Sequence, residues 1–520
     1  MVAPVTENTS LEPSQPGAGE SLSRRTITGG QWRMASLVVQ GVLHLVIGVV
    51  LARLLPPADF GLAALALIVI GFAAMVADVG VGAAVVQRQT VTNRHLRVAF
   101  TLSLLTGILI TAVLSGIAPI VAIMAKNAAV APVLRVQSIV FIATGVGTVG
   151  RAQLQRKLDF RRLFVVDLGS YLLGYALIAI GGAVLGWGVW SLVVGSIVQS
   201  ALASVLCMMA ARAPVKPLLA KEESRELLGF GVGVTVNGII SYIGRNGDNF
   251  LVGRFLGTTA LGLYSRAFNF MMLPINYFSS VIPTVLIPAF SEIQTDKARV
   301  GRGYLMGVQT AALITAPVMV WVVVSAPHLI LGLYGDRWAG AVVPLQVLAA
   351  AGVPRAMLGL AGAVAQACNR VRSETPLQIG FALAVTIGAT VGSAYGLTGV
   401  AIAVSIAIVM LFIAQSWLAL SITGASWASL FLAHLPGILV GLVTLAMILP
   451  LRVLLERLGL SHLVILVLLS MMSAIGTFLG LYIMPAAIRP LDLFRQLSKP
   501  IHRFPPVMRM PLLRILGVAR

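Results

Sequence analysis

The sequence predicts an all-α polytopic membrane protein with about fourteen transmembrane helices, grouped as two pseudo-symmetric six-helix bundles plus two C-terminal helices. Three observations predict this fold class. Only 10% of the 520 residues are charged and 58% are hydrophobic, whereas a soluble domain has about 25% charged residues. Basic residues are concentrated in alternate loops between long apolar runs. One motif occurs in both halves of the chain.

The apolar runs are long enough to cross a bilayer. Gly61–Ala77, Leu102–Met124 and Leu463–Met484 contain no Asp, Glu, Lys or Arg. A helix needs about 20 such residues, at about 1.5 Å each, to span about 30 Å of hydrocarbon. These runs therefore predict transmembrane helices.

The distribution of basic residues predicts the orientation. Alternate loops and the two termini hold 27 of the 37 Lys and Arg residues. Because Lys and Arg in short loops stay in the cytoplasm, both termini are expected there. The formal net charge of +20 then reflects topology and attraction to the anionic headgroups of membrane lipids. Nucleic-acid binding is not predicted, because the basic residues are dispersed and lack interleaved aromatic residues.

Composition divides the chain into six parts. The polar N-terminal segment has no apolar stretch typical of a cleaved signal peptide, and is expected to be a disordered cytoplasmic tail. Cys207 and Cys368 lie in or at the end of apolar helices, so no disulfide, metal site or cofactor is predicted. The predicted parts are a tail at 1–30, a six-helix bundle at 31–212, a cytoplasmic linker at 213–225, a second six-helix bundle at 226–422, two extra transmembrane helices at 423–487 and a basic cytoplasmic tail at 488–520.

An arginine-bearing corner occurs twice. The segment LARLLPPADFGLAALA, Leu51–Ala66, matches part of NFLVGRFLGTTALGLYSRAFNF, Asn249–Phe270, when Arg53 is aligned with Arg254. Further along, GWGVWSLVVGSIV from Gly186 is similar to GLTGVAIAVSIAIV from Gly396. Two copies with an even number of spans have the same orientation, as in the parallel repeats of secondary transporters.

These motifs resemble a known family. The corner R-x-L-x4-[FL]-G-L, the stretch DVGVGAAVVQRQ after the second predicted helix, and the run GDNFLVGRFLG are similar to those of the polysaccharide-transporter family. Its members are oligosaccharide-lipid flippases of the multidrug/oligosaccharidyl-lipid/polysaccharide flippase superfamily. The order and spacing of the motifs over about residues 25–490 carry the resemblance.

The resemblance implies a fold and a function. It implies two six-helix bundles in a V around a central cavity, in the cytoplasmic (inner) membrane of a bacterium. It implies that sugar repeat units linked to a polyprenyl diphosphate, undecaprenyl diphosphate, move to the outer leaflet by alternating access, for exopolysaccharide or lipopolysaccharide synthesis. A polysaccharide polymerase and glycosyltransferases are the implied partner proteins. H⁺, Na⁺, the membrane potential and the gradient of the lipid itself all stay open as energy sources.

Moving a diphosphate requires cationic groups at membrane depth. A charge at the bilayer centre costs at least about 2.5–3.5 kcal/mol, and guanidinium groups bind phosphate bidentately. Aligning the two corners places His44 on Arg245, each about 13 Å along its helix from the corner arginine. We expect both to line the cavity, with Asp248 and Asn249 one turn beyond Arg245. The alternatives are an ion pair of Arg245 with Asp248, and a histidine that only bonds to a neighbouring helix.

Further ionisable residues lie at or near membrane depth. Arg355, near the middle of the tenth predicted helix, is expected to contact the substrate or a buried partner. Arg266 either contacts the substrate or reaches the outer headgroups. Asp78, about 15 Å deep in the second helix, carries a coupling ion, pairs with a cavity arginine or holds a helix junction. Asp167 is expected to be the counter-ion of the arginines at 161 and 162.

Two other functions compete with the flippase. One is a cation-coupled multidrug extruder of the same superfamily, which relies on acidic residues in the first bundle. The other is a membrane polysaccharide polymerase or acyltransferase, which needs catalytic acid, base or nucleophile groups held together. The chain has 17 Asp and Glu and six His, and they form no recognisable catalytic motif. The sequence therefore favours transport over catalysis.

Overall fold

The computed structural model describes residues 22–77, 81–88, 90–221, 223–224 and 235–485. Within these ranges the chain is helical and no residue lies in a strand. Ten helices in these ranges are long and apolar enough to cross a membrane, or eleven if the bent pair Asp336–Ala350 and Gly352–Ala367 forms one span. The expected all-helical membrane protein is confirmed. The number fourteen, the two six-helix bundles and the V-shaped arrangement stay predictions.

The described residues form two compact units. The first contains the residues up to Tyr242 together with Gly257–Thr259, and the second contains Ile243–Leu256 and the residues from Ala260 onward. In the first unit, a π-helical segment, Ser170–Ala176, joins the seventh helix to the eighth. The helices of this unit are α1 (Leu22–Leu54), α2 (Pro57–Ala77), α3 (Val81–Gln87), α4 (Asn93–Met124), α5 (Val130–Gln137), α6 (Val140–Arg156), α7 (Phe160–Gly169), α8 (Leu177–Val184) and α9 (Val189–Ala211).

The second unit begins within a long helical segment, α10 (Thr235–Glu292), which is broken at Gly257. A short 3₁₀ turn, Asp336–Ala341, lies between the helices Lys297–Leu333 and Val342–Ala350 of this unit. The core of the second unit is formed by apolar side chains of several helices, with Val308, Val364 and Ala419 fully buried. The helices that follow α10 are α11 (Lys297–Leu333), α12 (Val342–Ala350), α13 (Gly352–Ala367), α14 (Val371–Ser393), α15 (Gly396–Thr423), α16 (Trp427–Arg457) and α17 (His462–Ile483).

The predicted tails fall mostly outside the described residues, which exclude 1–21 and 486–520. Helix α1 begins at Leu22, within the range that the sequence predicts as a disordered tail. Residues 213–220 of the predicted linker are not helical. The other predicted boundaries stay predictions.

Polar residues begin several helices. The side chains of Thr92, Asp159, Asp296 and Ser426 each accept a hydrogen bond of 3.0–3.3 Å from the backbone N–H three residues later. Such caps satisfy an N–H group that has no partner within the helix. These residues therefore fix where α4, α7, α11 and α16 begin.

The same left-handed turns recur in both units. The first unit has positive φ angles of 51° to 79° at four turn residues whose counterparts in the second unit have 55° to 91°. In each pair, the residue of the second unit lies 209 to 212 positions after the residue of the first unit. The pairs are Lys126 with Gly335, Leu158 with Asn369, Gly186 with Gly396, and Arg212 with Gly424. Only the Gly186 pair is visible as a sequence match. The backbone conformations of the two units are therefore more similar at these turns than their residue types are.

The duplicated corner is also present in the structure. The first copy turns between Leu54, the end of α1, and Pro57, the start of α2. The second copy turns at Gly257, where φ is 86° and ψ is 176°. Gly257 is the residue that aligns with Pro56 when Arg53 is aligned with Arg254. The repeated motif therefore corresponds to a repeated break between two helices.

Candidate functional site

The break in α10 brings distant polar residues together. Asp248 and Tyr264 are 16 residues apart, and the Tyr264 hydroxyl donates a 2.7 Å hydrogen bond to Oδ2 of Asp248. In an unbroken helix two such residues would lie about 24 Å apart. The two arms of α10 therefore run back along each other from Gly257. The φ and ψ angles of Gly257 lie in a region open almost only to glycine.

The carboxylate of Asp248 is buried and held by several donors. The residue is 2% exposed. Its Oδ1 accepts hydrogen bonds from the backbone N–H of Asn249 at 2.8 Å and from the Asn249 side-chain amide at 3.1 Å. Buried charge is tolerated only when it is paired and hydrogen-bonded. The donors fix the orientation of this carboxylate, and a nearby cation supplies the opposite charge.

That cation is Arg355. It lies in the first turn of α13, and its backbone N–H bonds to the carbonyl of Ala351 at 3.1 Å. The guanidinium is attracted electrostatically by Asp248 and repelled by Arg245. The predicted site residues Arg245, Asp248, Asn249 and Arg355 are therefore brought into one neighbourhood of the second unit. The group has two positive charges and one negative charge.

The position of Arg355 differs from the expected one. The sequence places it near the middle of one helix, whereas the chain bends by 44° between Asp336–Ala350 and Gly352–Ala367. Pro354 lies in the first turn of α13, where the missing N–H of proline has no helical acceptor to lose. The bend therefore precedes the proline and puts Arg355 at a helix start. Continuous apolar composition across the bend gave no signal of it.

The side chain of Arg245 is exposed, while that of Arg355 is half-buried. Among the described residues, no salt bridge joins Arg245 to Asp248, because the carboxylate is directed at Tyr264 and Asn249. The structure therefore leaves the guanidinium of Arg245 accessible. Sequence reasoning missed Tyr264 as a residue of this group. The sequence feature that could have indicated it is its position in the segment YSR, which follows the repeated corner.

Arg266 has a different partner. Its side chain is hydrogen-bonded to the hydroxyl of Tyr334, the residue that follows α11. Tyr334 packs against Phe270 and Trp338, with 5.3 Å between ring centroids in each case. These contacts support a role in holding the C-terminal end of α11 to α10. Contact of Arg266 with a substrate stays a prediction.

His44 lies in the first unit, on α1. Its ring stacks on Tyr171, with centroids 4.1 Å apart and planes at 14°, and Tyr171 stacks on Tyr175 at 5.4 Å. The two tyrosines belong to the π-helical segment, a rare geometry that is common at functional sites. Sequence reasoning missed both tyrosines, although their four-residue spacing within one predicted helix was visible.

Asp78 lies outside the described residues. In those the structure does describe, no group of three or more His, Cys, Asp and Glu side chains is arranged to hold a metal ion. Asp167, expected to neutralise the arginines at 161 and 162, forms a salt bridge with Arg151 of α6. Asp167 therefore pairs with an arginine of a neighbouring helix rather than with the arginines of its own helix.

The chain matches the family described as polysaccharide biosynthesis protein over residues 50–343. It is 25% identical to the lipopolysaccharide biosynthesis protein WzxC of Escherichia coli (strain K12), over 73% of this chain and 78% of that protein. It is 27% identical to the succinoglycan biosynthesis transport protein ExoT of Rhizobium meliloti (strain 1021), over 63% of this chain and 67% of that protein.

The fold is also known from a solved structure. The chain superposes on the lipid II flippase MurJ in an inward closed conformation with a TM-score of 0.68. The two are 13% identical, and the match covers 87% of this chain and 98% of MurJ. At this identity the likeness shows the fold alone. Because the family match covers more than half of the sequence, the chain belongs to the polysaccharide biosynthesis protein family, and is a membrane transporter rather than an enzyme.

Proposed function

We propose that this protein is a flippase for lipid-linked oligosaccharides. It moves sugar repeat units carried on undecaprenyl diphosphate from the inner to the outer leaflet of a bacterial cytoplasmic membrane. The product serves exopolysaccharide or lipopolysaccharide synthesis. The family membership and the named roles of WzxC and ExoT in polysaccharide biosynthesis support this proposal.

One observation supports the proposed mechanism: the guanidinium of Arg355 interacts electrostatically with both Arg245 and the buried carboxylate of Asp248. A diphosphate leaving the headgroup region needs replacement of its hydration, and guanidinium groups supply directed N–H donors at full positive charge. Asp248 is engaged by Tyr264 and Asn249. Its role is to position Arg355, while the exposed Arg245 meets the diphosphate.

Transport is proposed to follow alternating access. The recurrence of four left-handed turns in both units supports two related six-helix halves, with α16 and α17 appended. In transporters built from such repeats, one half moves against the other and exposes the substrate to the two sides of the membrane in turn. The distribution of Lys and Arg supports a cytoplasmic location for both termini.

Complementation tests the proposal. In a strain that lacks the chromosomal gene, we expect Arg245→Ala and Arg355→Ala to abolish surface polysaccharide at unchanged protein level. Arg299→Ala is the matched control, because Arg299 is exposed at the start of α11 and its loss should leave export intact. Wild-type export from both test variants would remove these arginines from the mechanism. Normal polysaccharide combined with drug sensitivity on gene deletion would instead favour a multidrug extruder.

A reconstituted assay tests the transported molecule directly. Purified protein is placed in liposomes containing undecaprenyl-diphosphate-linked oligosaccharide, and the fraction of sugar accessible to an external glycosidase is followed. We expect the protein to expose the protected pool and the Arg245→Ala variant to leave it protected. Equal exposure in empty liposomes would contradict the proposal.

A further inference from the structure

A groove opens in the first unit where α7 begins and α9 ends. Its volume is about 430 Å³. It combines charged residues of the α7 start with apolar side chains of the same helix. The lining residues are Asp159, Arg161, Arg162, Val165, Val166 and Ala210.

The only acidic group among these lining residues is already engaged. Oδ1 of Asp159 accepts the backbone N–H of Arg162 at 3.1 Å, and Oδ2 is 3.3 Å from Nε of the same arginine. The Arg162 guanidinium also donates to the carbonyl of Ala210 in α9 at 3.5 Å. A guanidinium has five N–H donors, and these contacts use two of them. Arg162 is therefore held across the groove with donors left for an anion.

Further exposed cations are neighbours in sequence of the lining residues. Arg161 is exposed beside Arg162, Lys157 is exposed just before Asp159, and Arg212 is exposed two residues beyond Ala210. The start of α7 and the end of α9 thus carry four basic residues. All four lie in segments that the basic-residue distribution assigns to the cytoplasmic side.

The remaining wall of the groove is apolar and faces outward. The lining residue Val165 in α7 is 60% exposed, and Met209, which precedes the lining residue Ala210 in α9, is 69% exposed. Both lie on helices that qualify as membrane spans. A water-soluble anion would gain nothing from such a wall, whereas a molecule with an anionic head and an aliphatic tail would contact both parts.

We propose that this groove binds an anionic phospholipid of the cytoplasmic leaflet. The phosphodiester is held by Arg161 and Arg162, and an acyl chain lies along Val165 and Met209. Basic pockets between transmembrane helices on the cytoplasmic side suit such headgroups. The site lies in the first unit, whereas Arg245 and Arg355 lie in the second. The two proposed sites therefore share no residue.

Native mass spectrometry tests the proposal. The full-length protein is purified from nanodiscs of equimolar phosphatidylcholine and phosphatidylglycerol, and the retained lipids are counted. We expect the wild type to retain phosphatidylglycerol preferentially. The Arg161→Gln/Arg162→Gln double variant should bind it about fivefold more weakly for each arginine removed. Retention of phosphatidylglycerol unchanged by the double variant would overturn the proposal.

The chain offers a matched control. The Asp296 side chain accepts a hydrogen bond from the backbone N–H of Arg299 at 3.0 Å, just as the Asp159 side chain accepts one from Arg162. Arg299 and Arg302 are both exposed and lie on the same predicted side of the membrane. Arg299→Gln/Arg302→Gln removes the same charge and should leave phosphatidylglycerol retention unchanged. An equal loss in both double variants would show a general charge effect and reject the groove.

A third variant should change phosphatidylglycerol retention in the opposite direction. Asp159→Asn removes the negative charge and keeps a side chain that caps helices equally well, so it should raise phosphatidylglycerol retention. Unchanged or lower retention contradicts the proposal. A further outcome would also overturn the proposal: the protein retains added undecaprenyl phosphate but shows no preference between phosphatidylglycerol and phosphatidylcholine. The groove would then bind the polyprenyl carrier lipid instead of a phospholipid.

Discussion

The hydroxyl of Tyr264 donates to the carboxylate of Asp248 across the break at Gly257, and both side chains are buried. This bond joins the two arms of α10 at the level of the proposed diphosphate site. It also engages the carboxylate that attracts Arg355. The position of the carboxylate that attracts Arg355 is therefore fixed partly by a contact between the two arms of α10.

Tyr264→Phe should destabilise the protein. The variant leaves Oδ2 of Asp248 without its donor, and an unsatisfied buried polar group costs about 1–3 kcal/mol. Thermal unfolding of the purified protein in detergent measures the change. Tyr304→Phe is the matched control: Tyr304 is equally buried, but its hydroxyl makes a longer 3.4 Å bond to the neutral Ser416. Equal losses in the two variants would show that the charged acceptor has no special importance.

Gly257→Ala should also lower the unfolding midpoint. Added atoms would meet nothing within 4 Å, so the effect isolates the backbone conformation at φ 86°. Non-glycine residues in this region cost about 1–3 kcal/mol. Gly181→Ala in α8 also meets nothing within 4 Å but has helical geometry, so it should stabilise the protein by up to about 1 kcal/mol. Opposite shifts of the two midpoints are expected, and shifts in one direction would contradict the assignment of strain.

Leu158→Asn should stabilise the first unit. Leu158 has φ 55°, and the corresponding turn in the second unit, also at φ 55°, uses Asn369. Asparagine adopts this region more readily than leucine, for which it costs about 1–2 kcal/mol. We expect a higher unfolding midpoint for Leu158→Asn and a lower one for Asn369→Leu. A fall in both would mean that the Leu158 side chain contributes more through packing than its backbone costs.

Substitutions of His44 separate stacking from polar function. Aromatic pairs contribute about 0.5–1.5 kcal/mol beyond their buried area, so His44→Ala should lower stability while His44→Phe retains it. If His44 also serves transport through its ring nitrogens, both variants should lose polysaccharide export. Full export by His44→Phe, measured with protein levels in the same cells, would limit His44 to packing against Tyr171.

The sequence by itself determined the class of protein, its family and its duplicated corner. These properties follow from local quantities: the length of uncharged runs, the Lys and Arg in each loop, and residues that must turn the chain. The sequence also identified Arg245, Asp248 and Asn249 as a polar group, since they lie within two helical turns of each other.

Only the tertiary structure decided which partners these residues have. The Asp248–Tyr264 bond, the interaction of Arg355 with Asp248, and the stack of His44 on Tyr171 join residues that are 16 to 127 positions apart in the chain. Helix packing and backbone breaks at Gly257 and Ala351 set these contacts. A pattern of hydrophobicity records which residues avoid water, but not which of them meet.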